Sequence, residues 1–196
     1  RITMARYYTP SGRLIQRPYK EGDDLTYYKE LYSKDREKTL DSLKQLRPKF
    51  KTKDGRTVYG GGGITPDVHI AYENELTNST QEILRNPERP IFNFASTYAT
   101  ENDLGISNFK IFKNTWKVNQ GIYSQFLDYL DNDSIQYNPD SLKHDEDFLY
   151  NRIKSEIAGT IWGKDESASI RLDQDNQVSE ALKYFNEADA FLRLDN

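Results

Sequence analysis

The sequence predicts an α+β chain, a short N-terminal β segment followed by a mainly helical bundle of about five helices. Two observations carry this. Residues 1–9 alternate apolar and polar with a period of two, whereas from Pro87 onward the apolar spacing changes to about 3.6. The charge splits in the same sense. Residues 1–60 hold 15 Lys and Arg against 8 Asp and Glu, and residues 61–196 hold 12 against 23. A formal charge of −4 therefore conceals two regions of different character.

The β elements are expected near residues 1–9, 56–60 and 67–70. Ile2 and Met4 fall on one face of the first and Thr3 and Ala5 on the other, before Tyr7-Tyr8. Thr9-Pro10-Ser11-Gly12 then reads as a turn, because proline presets φ and glycine ends the turn. Leu14–Tyr19 is extended. Residues 20–54 form a polar insertion with a short helix around Leu40, Leu43 and Leu46 that stops at Pro48. Arg56–Tyr59 is extended and runs into Gly60–Gly63. Ile64-Thr65-Pro66-Asp67 is a second turn, and Val68-His69-Ile70 a short strand.

The helices follow from their stripes. Ile91, Phe94, Ala95 and Tyr98 form the first. Phe109, Phe112 and Trp116 form the second, with Ser107 as its expected N-cap, and Ile122, Phe126 and Leu130 follow a cap at Asn119. The longest helix should run from the cap Asn138 and the first-turn Pro139 to Gly163, burying Leu142, Leu149, Ile153, Ile157 and Ile161. The last carries Val178, Ala181, Leu182, Phe185, Ala188 and Leu192.

Composition excludes several function classes. The 25 aromatic residues (14 Tyr, 9 Phe, 2 Trp) argue against disorder despite a mean hydropathy of −0.88. No apolar run approaches the ~20 residues of a membrane span. Zero cysteine removes disulfides, thiolate metal sites and a cysteine nucleophile, and two histidines leave little for imidazole chemistry. The basic N-terminal part lacks a recognisable nucleic-acid motif, and Tyr7, Tyr8, Tyr19, Tyr27 and Tyr28 follow no stacking pattern. With Arg1 first and Met4 the only methionine, the chain is expected to be a piece of a longer protein.

No motif here forms a catalytic centre. The four glycines Gly60–Gly63 lead into Ile64-Thr65-Pro66, not into a Lys-Ser/Thr, so they read as a tight backbone crossing and not a phosphate cradle. Ser107-Asn108-Phe109-Lys110 fits S-x-x-K, but S-D-N and K-T-G are missing, which leaves Ser107 as a cap and Lys110 as a solvated charge. His69 stands alone, and His144 lies beside Asp145 without the H-E-x-x-H spacing. Asp131-Asn132-Asp133 and Asp173-Gln174-Asp175-Asn176 lack the glycine and bidentate glutamate of a calcium loop. No residue is assigned as catalytic, cofactor-binding or metal-ligating, and no cofactor is expected.

Two blocks carry a resemblance. Ile2-Thr3-Met4-Ala5-Arg6-Tyr7-Tyr8-Thr9-Pro10-Ser11-Gly12-Arg13-Leu14-Ile15-Gln16 resembles a block of the C-terminal (tail-specific) processing serine peptidases. Gly63-Ile64-Thr65-Pro66-Asp67-Val68 is similar to a second block, and Asp54–Gly63 resembles the form in Bacteroidetes-type members. The blocks occur in the family's order and approximate spacing and cover about a third of the chain. The helical part from Pro87 resembles, more loosely, the C-terminal extension of those members.

The resemblance implies that residues 1–75 end a peptidase core and 76–196 form a helical C-terminal domain. It implies an exported, periplasmic parent with a PDZ domain and a catalytic domain upstream, acting on the C-termini of unfolded proteins. That family uses a serine nucleophile deprotonated by a lysine. Both lie upstream of the block matching Ile2–Gln16, so no catalytic residue transfers to this chain, which should be inactive alone. Its helices would dock on the core, mediate homo-oligomerisation, or hold an adaptor or substrate. The basic and acidic segments would face one another within the molecule or across a dimer, a contact weakened by salt. The alternative is a standalone helical protein-binding or scaffold module. A weaker option is carbohydrate or peptide binding through exposed Tyr and Trp side chains, including Trp116 and Trp162.

Overall fold

Thr9 and Gly12 close the first turn. The Gly12 N–H donates to the Thr9 carbonyl at 2.8 Å, and Gly12 takes φ +81°, a conformation that disfavours a side chain. Tyr8 and Leu14 pair across it in an isolated antiparallel bridge. These contacts come from a computed structural model, which describes residues 5–16, 46–53, 55–64, 68–71 and 75–193. The chain divides into two units, Arg1–Ile70 with Tyr184–Asn196, and Ala71–Lys183.

In the first unit the sheet is smaller than expected and placed differently. It has two antiparallel strands, β1 (Lys49–Lys51) and β2 (Thr57–Tyr59), with Phe50 opposite Val58. Strand β2 lies within the expected 56–60, whereas β1 falls in the stretch read as a polar insertion. The expected strand near 1–9 is absent over residues 5–9, where one bridge is all that forms and Tyr7 and Tyr8 stay exposed. Residues 68–70 are not a strand either; Val68 is exposed and no described strand pairs with them. Residues 1–4, 17–45 and 65–67, including the helix read around Leu40 and Leu43, lie outside the described residues.

The glycine run serves close packing. A Cβ on Gly60 would lie 2.7 Å from Phe50 Cε2, and one on Gly62 would collide with the Arg47 guanidinium. Side chains from the first strand and its approach thus rest on bare backbone.

The second unit is helical: α1 (Asn78–Arg85), α2 (Pro90–Glu101), α3 (Phe109–Thr115), α4 (Gln120–Asn132), α5 (Pro139–His144), α6 (Glu146–Ile161), α7 (Lys164–Arg171) and α8 (Asn176–Ala181). A 3-10 turn at Leu182–Tyr184 follows, and α9 (Phe185–Arg193) belongs to the first unit by residue range. The division is finer than five helices. Helix α1 precedes Pro87, where no helix was expected. The single helix expected over 138–163 is interrupted at Asp145, whose backbone sits at φ −96°, ψ 17°.

The caps explain the boundaries. Asn119 and Asn138 accept hydrogen bonds from Ile122 N (3.0 Å) and Ser141 N (2.9 Å). For α3 the cap is Asn108, accepting from Ile111 N at 3.1 Å, and not Ser107. Gly163 follows the last turn of α6 at φ +124°, donating to the Ala158 carbonyl.

The core is formed by the expected stripes. Phe94, Ala95, Phe112, Ile122, Phe126, Leu130, Leu142, Leu149, Ile153 and Ile157 are all buried. Phe126 packs on Phe94 with ring centroids 5.3 Å apart, and Phe112 lies between Trp116 and Trp162 at 4.9 and 4.8 Å. Both tryptophans therefore contribute to the packed interior. Ile161 is an exception at the end of its stripe, being 41% exposed. So is the last expected stripe: Ala181, Leu182, Phe185 and Ala188 are exposed, because the 3-10 turn breaks the helix that would have aligned them.

Candidate functional site

Most buried polar groups of the helical unit join helices. Asp145, at the break between α5 and α6, accepts the Thr77 N–H at 2.9 Å and the Thr77 hydroxyl at 2.7 Å on one oxygen. Its other oxygen meets His144 Nδ1 at 2.9 Å. Burial alone would raise its pKa, but these bonds, with the Thr80 hydroxyl, hold it down at about 2. The His144 ring is 72% exposed, and it is the Thr77–Asp145 bonds that fasten the start of α1 to the α5–α6 junction.

Between α6 and α7, Ser155 and Ser167 are buried with their hydroxyls 3.0 Å apart, and Arg171 donates to the Ser167 hydroxyl at 2.8 Å. Gly159 lets the helices approach; a Cβ there would lie 3.2 Å from Ser167 Cβ. Lys113 links α3 to the far end of α7, donating to the Ser169 carbonyl at 2.9 Å and pairing with Asp173 at 2.9 Å. Lys154 donates to the Lys113 carbonyl at 2.7 Å, and burial lowers its pKa. The other residues weighed from sequence take structural or solvent-facing places. Ser107 and Lys110 are both exposed, and Ser107 offers its carbonyl to Trp162 Nε1 at 3.2 Å. Asp175 caps α8, accepting from Val178 N at 3.0 Å. Asp131 and Asp133 are exposed. Among the described residues no three His, Cys, Asp or Glu side chains converge as metal ligands.

One cleft brings together groups engaged differently. It lies where the end of α1 and the start of α2 meet α6, and is lined by Ile83, Leu84, Arg89, Ile91, Phe92, Arg152 and Glu156, with a cavity of about 60 Å³. Arg89 is held there by local chemistry. Pro90 disfavours the right-handed helical region for the residue before it, and Arg89 takes φ +52°, ψ +56°. Asn86 braces that turn, its side chain accepting from Glu88 N at 2.9 Å and its carbonyl from Arg89 N at 3.0 Å. A non-glycine residue in this region costs roughly 1 kcal/mol, a strain that the surrounding bonds sustain. The Arg89 guanidinium lies 4.2 Å from the Phe92 ring centroid.

Arg152 faces Arg89 from α6. Its Nη2 pairs with Glu156 at 3.0 Å. Burial lowers its pKa; Glu156 opposes that, while Arg171 and Arg89 add to it. Two guanidiniums and one carboxylate therefore share a recess floored by aliphatic and aromatic carbon. Sequence reading missed this site, because Arg89 and Arg152 are 63 positions apart and neither belongs to a motif. The one local signal was Arg89-Pro90 before an apolar stripe.

A second, larger cleft of about 340 Å³ lies between the end of α1 and the α4–α5 loop. Its lining includes Glu82, Glu88 and Asp133 and no basic residue.

Residues 79–163 match a family of unknown function (DUF8443), a stretch from α1 to the glycine after α6. No curated protein and no solved structure matches the chain.

Proposed function

We propose that this chain is a non-catalytic helical binding module from the C-terminal part of an exported, periplasmic serine endopeptidase that processes proteins from their C-termini. The observation that carries the peptidase part is the pair of blocks Ile2–Gln16 and Gly63–Val68, which resemble that family in order and spacing. In such a parent the serine and lysine lie upstream, and unfolded substrates reach this chain through the PDZ and catalytic domains. The binding-module part is supported by the way the helical unit uses its polar groups. Asp145, Ser155, Ser167, Lys113 and Lys154 tie helices together, whereas Arg89 and Arg152 line a cleft.

The test is an incubation of this chain with an unfolded protein ending in an apolar residue. The proposal expects no new fragments on a gel. Cleavage that persists through repeated purification would overturn it.

A standalone helical scaffold is a second reading, favoured by the exposed Leu172 and Leu182 of the helical unit. Large apolar side chains left in water suit a partner surface. That reading expects the chain to bind its partner with no peptidase domain attached, including as a homo-oligomer.

A further inference from the structure

We propose that the cleft between α1, α2 and α6 binds a carboxylate carried on a short branched apolar group. The acid would lie between the Arg89 and Arg152 guanidiniums, and the apolar group on Ile83, Ile91 and Phe92. This rests on the binding-module reading of the helical unit and is independent of the peptidase resemblance.

Three observations converge. The first is charge: the lining holds Arg89 and Arg152 against Glu156 alone, and Arg171 stands close enough to disfavour the charged form of Arg152 further. A singly charged anion relieves that repulsion. The second is donor supply. Glu156 engages Arg152 through Nη2, and a guanidinium carries five N–H donors, while Arg89 rests on the Phe92 face and forms no ion pair among the described residues. Planar guanidinium forks match a carboxylate in geometry as well as charge. The third is the floor. Ile83, Leu84, Ile91 and Phe92 line the recess beside the guanidiniums, and Leu84 is 37% exposed, so a short carbon group attached to the acid has carbon to touch, which a bare anion leaves unused.

Size narrows the class. The cavity measures about 60 Å³. A water needs ~10–15 Å³ by the same kind of measure, so the recess takes roughly four to six heavy atoms. Isobutyrate has that size. The acidic cleft beside the α4–α5 loop, lined by Glu82, Glu88 and Asp133, would repel the same ligand. Two sources present this chemistry: a free short-chain acid, and the last residue of a polypeptide ending in valine.

The experiment is a titration of the ¹⁵N-labelled full chain, read at the amides of Ile83, Arg89, Ile91 and Phe92. The probes are isobutyrate, isobutyramide, inorganic phosphate, and acetyl-Gly-Gly-Val with a free or an amidated C-terminus. Saturable shifts at these amides are expected with isobutyrate, with Kd on the order of millimolar for so few atoms. Isobutyramide and phosphate should bind at least ~10-fold more weakly, since one lacks the charge and the other the apolar group. Arg89→Gln should weaken isobutyrate ~10-fold with the thermal midpoint unchanged, and Glu156→Gln, which frees Arg152, should tighten it several-fold.

Binding of the free-acid peptide as well as isobutyrate identifies a polypeptide C-terminus as the source. Binding of isobutyrate alone identifies a free acid. Absence of shifts with both acids, equal binding of amide or phosphate, or unaltered affinity in Arg89→Gln would overturn the proposal. The cleavage assay does not involve this cleft, so each reading can fail without the other.

Discussion

Thr77 gives both its backbone N–H and its hydroxyl to the same oxygen of Asp145, 68 residues later, at 2.9 and 2.7 Å. Thr77 is the N-cap residue of α1 and Asp145 that of α6, so the bonds join two helix starts, although the carboxylate itself makes no capping bond to α6. A negative charge is favoured at both, because the first turns of a helix expose unpaired N–H groups. The pair sits at the point where the long helix expected from sequence breaks.

A pH dependence follows from that carboxylate. Its pKa is lowered from 3.8 to about 2: burial pushes it upward, and the bonds from Thr77, His144 and Thr80 outweigh burial. A depressed folded-state pKa contributes stability that is fully present above 3.8 and is lost as pH falls through about 2. The contribution at neutral pH is on the order of 2 kcal/mol. Asp145→Asn should lose that amount and flatten the acid limb between pH 4 and 2, as measured by urea unfolding at a series of pH values. An unchanged limb in the variant would assign the acid sensitivity to other groups.

Two phenylalanines at opposite extremes of burial test the core. Phe126 is fully buried against Phe94 and Tyr123, and Phe126→Ala should cost about 3–5 kcal/mol. Phe185 is 64% exposed, and Phe185→Ala should change stability by less than about 0.5 kcal/mol. Equal losses in chemical denaturation would place Phe185 in the interior, contrary to the structure.

Tyr123 supplies a spectroscopic check on the packing. Its hydroxyl donates to the Leu142 carbonyl at 3.2 Å, and burial, reinforced by Glu146 and neighbouring tyrosines, raises its pKa to about 12. The raised value favours the neutral phenol, so its contribution is present below 10 and is lost as pH rises through about 12. Tyr123→Phe should cost about 1 kcal/mol and remove a late-titrating phenolate from the ultraviolet titration.

Gly60→Ala tests the role of the glycine run. The new methyl would lie 2.7 Å from Phe50 Cε2, so the β1–β2 hairpin must shift. A cost of about 1–3 kcal/mol is expected for such overpacking. Amide shifts should move over Lys49–Lys51 and Thr57–Tyr59, while Lys53→Ala, at an exposed position, should leave them nearly unchanged.

Much of the helical interior was legible because burial enforces a period. Phe94, Phe126 and Ile153 recur at helical spacing, and Asn119 and Asn138 announce their helices by local hydrogen bonding. Strand β1 was not legible. Lys-Phe-Lys carries a single apolar residue, and its pairing depends on Val58, which lies beyond a hairpin turn. The break at Asp145 coincides with a contact to Thr77, 68 residues earlier, and the arginine cleft needs α2 to meet α6. Such long-range contacts leave no local pattern. The final stripe misled for the converse reason: Leu182 and Phe185 keep an apolar spacing but have water for a neighbour.

The central claim, that this chain is a non-catalytic part of a C-terminal processing peptidase, is tested most directly by the coding sequence upstream of Arg1. Reading ~200 codons spans about one domain. The account predicts a continuous frame containing a glycine- and serine-rich nucleophile segment and then a lysine shortly before Arg1. A stop codon in that stretch, or a continuous frame without that serine and lysine, would contradict it and leave the standalone scaffold in its place.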